Sequence, residues 1–250
     1  MVSIVMPVFN AQETIARAIA SVQAQSYPHW ELWLVDDAST DATVAQATSY
    51  AGQDARINLI QLPSNSGSPA APRNAALARA RGDFIAFLDA DDAWEANKLE
   101  LQLAAMQHSQ AAISCTGTKV VCATQSKAYV RTPPLQASYK SLLKQNTLVC
   151  SSVMIDTAVL EERLFPLVGH EDYALWLELT RAGCSVLGVP DSLTIYTVSA
   201  NSVSANKLKV LPYFWKIYHQ REGFSPIKAL LLTLRYAWLA RKRAFNHIRA

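Results

Sequence analysis

The chain has 250 residues, half of them hydrophobic and 17% charged. Such a chain folds around a core as one large domain or two small ones, which excludes a disordered or fibrous protein. The formal charge of +3 hides an asymmetry: from Lys207 onward ten basic residues stand against Glu222 alone, so this segment carries +9 and the first 206 residues carry −6.

Val2 to Val8 reads as a buried first strand. Asn10 is placed to cap a helix with apolar positions at Ile15, Ala18, Ile19 and Val22. Tyr27-Pro28 ends it, and Glu31 to Val35 is a second strand. Ser39, Thr40 or Asp41 can cap the next helix, which carries Val44 and Ala47. Ile57 to Leu62 is a third strand, and Pro63 to Pro69 a loop. An Ala-rich helix holding Arg73 and Asn74 runs to Gly82. Phe84 to Leu88 is five apolar residues in a row, the pattern of a strand buried on both faces. Strand and helix alternate four times, which predicts an α/β fold with a parallel sheet and helices on both faces.

The second half is less regular. A helix is predicted over Trp94–Met106, a hairpin from Ala112–Val121 and Lys127–Arg131, and a short strand over Ser151–Ile155. Gly169-His170-Glu171-Asp172 opens an amphipathic helix with Leu175, Trp176 and Leu179 inward, ended by Gly183. Cys184–Val189 and Ser192–Val198 read as two strands. Tyr213–Tyr218 and Ile227–Ile248 read as helices.

Three acidic clusters stand out: Asp36-Asp37 after the second strand, Asp89, Asp91 and Asp92 after the fourth, and Glu171-Asp172 at a helix start. Crowded carboxylates repel each other and resist burial. A divalent cation resolves that conflict, and hard oxygen ligands suit Mg²⁺ or Mn²⁺. An acidic turn with an Asp cap is the structural alternative. Ligands of open α/β sheets sit beyond the carboxyl ends of the strands, where the first two clusters share a crevice. None of the eight glycines has the G-x-G spacing of a dinucleotide fold, and a P-loop is absent too. Cys115, Cys122, Cys150 and Cys184 form no C-x-x-C pair, so they signal neither zinc nor redox chemistry but thiols in a reducing compartment.

The motifs Val5-Met6-Pro7-Val8-Phe9-Asn10, Val35-Asp36-Asp37-Ala38-Ser39-Thr40-Asp41, Pro72-Arg73-Asn74, Phe87-Leu88-Asp89-Ala90-Asp91-Asp92 and Glu171-Asp172-Tyr173-Ala174-Leu175-Trp176 occur in this order. The series resembles that of family 2 glycosyltransferases with the GT-A fold, across roughly residues 1–205, and the basic tail resembles that of bacterial members that build surface polysaccharides. The resemblance implies a Rossmann-like sheet in a domain over 1–206 and a helical tail over 207–250. It also implies transfer of a hexose or N-acetylhexosamine from a nucleotide-sugar, usually a UDP-sugar, with inversion, to a glycan or lipid-linked hydroxyl. Phe9 would stack on the base, Asp37 accept the base N–H, and Asp89 contact the ribose. Asp91, with Asp92 as second candidate, would hold the metal. Arg73 would face the diphosphate, and Asp172 would be the general base. Pro7, Asn10 and Ala90 would line the donor, and Trp94, Ser151, Ser152 and Glu171 the acceptor or sugar pocket. The chain departs from the pattern at Thr197 and Ser199, where the family often has Arg and His that touch the diphosphate or metal.

Two other readings remain. A phosphoryl-transfer enzyme fits poorly, because that Asp-x-Asp pattern lies on an early strand and is followed by Thr or Val, not by Ala93 and Trp94. A non-catalytic sugar-nucleotide binder or membrane-bound partner protein is favoured by Thr197 and Ser199. In the tail, Lys228, Arg235, Lys242 and Arg249 recur every seven residues as a basic stripe, beside Leu230, Leu231, Leu234, Tyr236, Trp238 and Phe245. This fits a helix lying on an anionic membrane, or apolar residues packed on the domain under a solvated stripe. No motif supports nucleic-acid binding. Met1 runs straight into a strand and no apolar run reaches bilayer length, so the expectation is a cytoplasmic protein, peripheral on the inner face of the cell membrane.

Overall fold

The computed structural model describes residues 1–122, 128–198 and 210–249, with side chains to 239. The first half holds β1 (Val2–Val8), α1 (Ile15–Gln23), β2 (Trp30–Asp36), α2 (Thr43–Gln53), β3 (Ile57–Gln61), α3 (Ala70–Leu77) and β4 (Phe84–Phe87). The chain continues through β5 (Ala93–Trp94), α4 (Lys98–Ser109), β6 (Ile113–Cys122), β7 (Ala128–Arg131), β8 (Gln136–Ala137), α5 (Tyr139–Lys144), a 3₁₀ turn over Cys150–Ser152, β9 (Val153–Asp156) and α6 (Thr157–Leu160). It ends with α7 (Glu171–Arg181), β10 (Val186–Val198), α8 (Leu211–Lys216), a π-helical turn over Ile217–Arg221, and α9 (Pro226–Arg249).

The strands form one sheet in the order β3-β2-β1-β4-β9-β6-β10-β5, with β7 on β6 and β8 on β10. β1 lies between β2 and β4, parallel to both, with Val5 opposite Trp33 and Phe87. Its side chains alternate between the faces, as period-2 geometry requires. Ile4 and Met6 join the core under α1, α2 and α4, while Val5 joins the core under α3, α5, α7 and α8. Burial on both faces explains the apolar runs Ile4–Val8 of β1 and Leu32–Val35 of β2.

β9 is the exception that builds the site. It runs antiparallel to both neighbours, so that Ile155 faces Ile85 on β4 and Ile113 on β6. Its start, not its end, therefore lies at the edge where β1, β2 and β4 finish. β10 runs parallel to β6 and also finishes there. The turn Cys150–Ser152 and the end of β10 are thus delivered to the acidic loop after β4.

Several expectations change. Asn10 does not cap α1: it takes a left-handed φ of 46° and its Oδ1 accepts from the Thr40 backbone N–H at 2.9 Å, while α1 starts only at Ile15. Asp41 does bond the first turn of α2, its Oδ1 accepting from Thr43 N–H at 3.0 Å. Trp94 is not helical, because Ala93–Trp94 pairs with Ile195 and Thr194 of β10, and α4 begins at Lys98. Ser151 and Ser152 are in the 3₁₀ turn before β9. The two strands expected over Cys184–Val198 are one, bent by register shifts between Val189 and Thr194. A bulge accommodates Pro190, which has no N–H for the ladder. A Cβ on Gly117 of β6 would lie 2.6 Å from the Pro190 carbonyl oxygen, so the bend needs glycine there. The β6–β7 hairpin forms as expected, Lys127 lying outside the described residues.

The tail packs on the body. Phe214 and Tyr218 are buried, and Tyr236 of α9 stacks on Phe214 with ring centroids 3.5 Å apart. A Cβ on Gly169 would strike the Tyr213 ring at 2.6 Å, so glycine lets α8 press on the approach to α7.

Candidate active site

The loop after β4 carries four candidate residues, and they have different surroundings. Asp92 is fully buried. Its Oδ2 accepts from the Ser151 hydroxyl and its Oδ1 from the Thr197 backbone N–H at 2.8 Å. Ser151 Oγ also accepts from the Asp89 N–H at 3.1 Å, and the Ser151 carbonyl accepts from Trp94 Nε1 at 2.7 Å. Ser151 therefore ties its own turn to the acidic loop and β5 at three points, Asp89, Asp92 and Trp94. Burial, then Asp89 and Asp91, push the Asp92 carboxyl well above the usual range. Trp94 and Ser152 are also buried, the Ser152 hydroxyl donating to the Val149 carbonyl at 2.7 Å. Ala90 is buried between Asp89 and Asp91.

Among the described residues Asp91 has no such brace. Burial and the nearby Asp89 push it up to about 6. A carboxylate that is hard to ionise alone is one that a cation stabilises. Among the described residues no group of three His, Cys, Asp or Glu side chains is arranged to hold a metal by itself. Asp89 and Asp91 still fit Mg²⁺ or Mn²⁺, since Mg²⁺ is commonly held by one or two carboxylates plus substrate phosphates.

Arg73 is 3% exposed. Its guanidinium forks between Asp89 Oδ1, at 2.6 Å, and Glu171 Oε1. Burial opposes the charge on Arg73, but Cys150, Asp89, Glu171 and Asp172 outweigh it and raise its pKa well above normal. Planar fork geometry suits such a bridge. Burial raises the carboxyls of Glu171 and Asp172, with Arg73 opposing. Both stand in the first turn of α7, where the helix dipole favours negative charge. His170, just before them, has a left-handed φ of 60° and packs on the Phe214 ring at 4.7 Å.

Pro7, Phe9, Asn10 and Asp37 lie at the ends of β1 and β2, on the same edge. Pro7 pairs in register with Val35, and Phe9 is 50% exposed. The Asp37 carboxylate accepts from the Ser66 N–H and hydroxyl, both at 2.9 Å, and so holds the loop before α3. Asp36 Oδ2 accepts from Ser39 N–H at 3.1 Å, bracing its own loop. The residues proposed for the base thus form one neighbourhood, and Arg73, Asp89, Glu171 and Asp172 another.

Two contributors escape sequence reasoning. Arg17 on α1 donates to the Asp91 carbonyl and, at 2.8 Å, to the Thr197 hydroxyl. Its only signal is a positive charge on an otherwise apolar and small-residue helix. Lys98 is fully buried, its Nζ 3.7 Å from the Trp94 ring centroid and without a hydrogen-bond partner among the described residues. Ser199 lies outside the described residues.

Residues 3–155 match the family described as "Glycosyl transferase family 2". The chain belongs to that family. It is 36% identical over 246 residues to the "Putative teichuronic acid biosynthesis glycosyltransferase TuaG" of Bacillus subtilis, covering 97% of each chain. It is 34% identical to the "UDP-Glc:alpha-D-GlcNAc-diphosphoundecaprenol beta-1,3-glucosyltransferase WfgD" of Escherichia coli, covering 99% of this chain and 96% of that one. The fold is shared with TarS of S. aureus, solved with UDP-GlcNAc, at a TM-score of 0.73 and 20% identity over 93% of this chain and 70% of that one. It is shared too with the mannosyltransferase PcManGT of Pyrobaculum calidifontis, solved with GDP-Man and Mn²⁺, at a TM-score of 0.70 and 20% identity, covering 96% and 70%. The family 2 glycosyltransferase therefore has a GT-A fold, as its β1–β4 motifs imply.

Proposed function

We propose that this glycosyltransferase moves a hexose or N-acetylhexosamine from a UDP-sugar to a hydroxyl of a lipid-linked glycan, with inversion, during assembly of a bacterial surface polysaccharide. The observation that carries the reading is the single Arg73 fork that ties Asp89, on the acidic loop, to Glu171, beside Asp172. It sets donor chemistry and base chemistry next to each other. Residues 1–206 hold the donor, and residues 207–250 serve the acceptor side at the inner face of the cell membrane. The names of TuaG and WfgD, and the UDP-GlcNAc complex of TarS, support polymer, lipid-linked acceptor and donor class respectively.

Phe9, half exposed at the end of β1, stacks on the base, and Asp37 accepts its N–H. Pro7 and Asn10 shape that end, while Asp89 meets the ribose. Asp91, with Asp89, would hold Mg²⁺ or Mn²⁺, which would supply positive charge for the leaving diphosphate. Asp92 acts behind them, keeping the loop fixed through Ser151 and Thr197. Arg73 holds its two carboxylates and lends the site a positive field. Asp172 takes the proton of the attacking acceptor hydroxyl. Glu171 and Trp94 frame the sugar and acceptor side.

The test measures free UDP released from UDP-sugars with Mn²⁺ and a lipid-linked acceptor. Release is expected only with acceptor present, and Asp91→Asn is expected to remove most of it with the melting temperature unchanged. Full turnover in excess chelator would overturn the metal role. Donor binding without transfer to any hydroxyl acceptor would favour a non-catalytic sugar-nucleotide binder, the reading that Thr197 supports.

A further inference from the structure

α9 has two working faces. At 3.6 residues per turn, Ala229, Leu232, Thr233 and Tyr236 share the side that packs on the body. Ala229 and Thr233 are buried, Leu232 and Tyr236 pack against the core, and Tyr236 stacks on Phe214. On the opposite side Ile227, Leu230, Leu231, Leu234 and Trp238 follow the spacing i, i+3, i+4, i+7, i+11. All five are exposed, at 75%, 50%, 62%, 54% and 61%. They fill an arc of about 100° and run about 17 Å along the helix. A soluble helix turns such a stripe inward. Here the inward face is already used, and a second apolar stripe points out. Contiguous apolar patches of this kind mark interaction sites.

The charge beside the stripe selects the occupant. Lys228 and Arg235, both exposed, lie along one edge of it. The segment from Lys207 to the end carries +9, against −6 for the rest of the chain. A second copy of this chain would bring two such segments together, and like charges oppose that. An anionic bilayer complements the charge and receives the leucines. No helix among the described residues is long and apolar enough to cross a membrane, so α9 would lie in the interface plane with Trp238 at headgroup depth.

We propose that the outward face of α9 docks the enzyme on a bilayer of anionic phospholipid. This rests on the lipid-linked acceptor reading for its purpose. It adds a physical route: α9 stacks on Phe214, Phe214 packs on His170, and His170 precedes Glu171 and Asp172. The docked helix and the start of α7 are thus joined through two ring contacts.

The full chain would be floated with phosphatidylcholine vesicles and with vesicles that also hold phosphatidylglycerol. It is expected to float with the anionic vesicles at low salt and to bind neutral ones far more weakly. Leu230→Ser/Leu231→Ser/Leu234→Ser is expected to abolish flotation. Lys228→Glu/Arg235→Glu is expected to weaken it about tenfold or more, since each basic residue near an anionic surface contributes several-fold. These side chains face outward, so thermal melts and UDP binding should stay at parent values. If the triple variant is misfolded, the single changes Ile227→Ser and Leu231→Ser carry the same comparison. Flotation unchanged in the leucine variants, or equal binding to both vesicle types, would overturn the proposal. So would sedimentation showing a parent dimer that the leucine variants convert to monomer while vesicle binding persists. Sugar transfer is not a readout here: a chain that floats yet transfers no sugar supports the docking face and refutes the reading it serves.

Discussion

Replacing Arg73 by Met removes one buried charge and keeps the length of the stem over Phe165, whose ring centre lies 5.2 Å from the guanidinium carbon. Two carboxylates lose their partner. Asp89 is 32% exposed and rehydrates, whereas the Glu171 side chain is 9% exposed and cannot. Breaking a buried pair from one side typically costs about 3–5 kcal/mol. Domains of this kind hold about 5–15 kcal/mol in all, so the variant is expected to fold but to unfold at much lower urea. The loss should depend on pH. Burial already raises the carboxyls of Glu171 and Asp172, and Arg73 is what opposes that. Without Arg73 their folded pKa values rise further above the unfolded ones. Stability from such groups is present below the unfolded pKa and is lost as pH rises through the folded one. The penalty of Arg73→Met is therefore larger at pH 7.5 than at pH 5. Urea titrations at both pH values, with unchanged slope, measure it. A penalty under about 1 kcal/mol, or one equal at both pH values, would refute the electrostatic account.

Asp172→Asn is expected to lower turnover by about 10²–10⁴-fold, with donor affinity nearly unchanged in calorimetry. Because burial raises Asp172, the acid limb of the parent's pH–rate profile should lie above the ordinary carboxylate range and vanish in the variant. Burial also drives the Lys98 amine well below its usual pKa. Desolvating a charge costs several kcal/mol, more than the roughly 2 kcal/mol a buried cation–π contact returns, so the neutral amine prevails against Trp94. The unfolded chain then binds a proton that the folded chain does not. Lys98→Met should stabilise the protein at pH 7, and the gain should shrink by about 1.4 kcal/mol per pH unit toward pH 10; a gain that does not vary with pH contradicts this. Arg17→Gln removes a cation that partly offsets the raised pKa of Asp91. It should raise KM for the donor more than it lowers kcat, and equal effects on both would place Arg17 in the chemical step instead.

Much of the fold was legible because parallel strands advertise themselves. The apolar runs of β2 and β4, each followed by acidic residues, placed those clusters at one edge. Less local features were hidden. Asn10 fits the capping rule, yet a partner in another loop, the Thr40 N–H, draws its oxygen away. Trp94 opens a helical pattern, yet pairing with Thr194, 100 positions later, makes it a strand residue. Pro190 reads as a strand break, but Gly117 on the neighbouring strand leaves room for a bulge instead. At the site, the carboxylates could be named from their spacing. Their division of labour could not, because it depends on partners far along the chain. Ser151 reaches Asp92 across 59 positions, and Glu171 reaches Arg73 across 98. An arginine early on a helix carries no sign that it will be buried.

The reversed direction of β9 has a practical consequence for anyone altering this chain. Because it enters at the catalytic edge, the segment just before it is as sensitive to length as the loops that follow β1, β2 and β4. The opposite edge is where handles belong. There a cleft of about 400 Å³ is walled by Ser109–Ala112 and by Ala182–Leu187, far from every carboxylate of the site. Gly183 holds a φ of 107° with open space around its Cα, and Gln110 a φ of 53° just past α4. The φ of Gly183 strains any side chain placed there, so a fluorophore or short peptide grafted at Gln110, which already carries a side chain, should report on the enzyme without entering its chemistry.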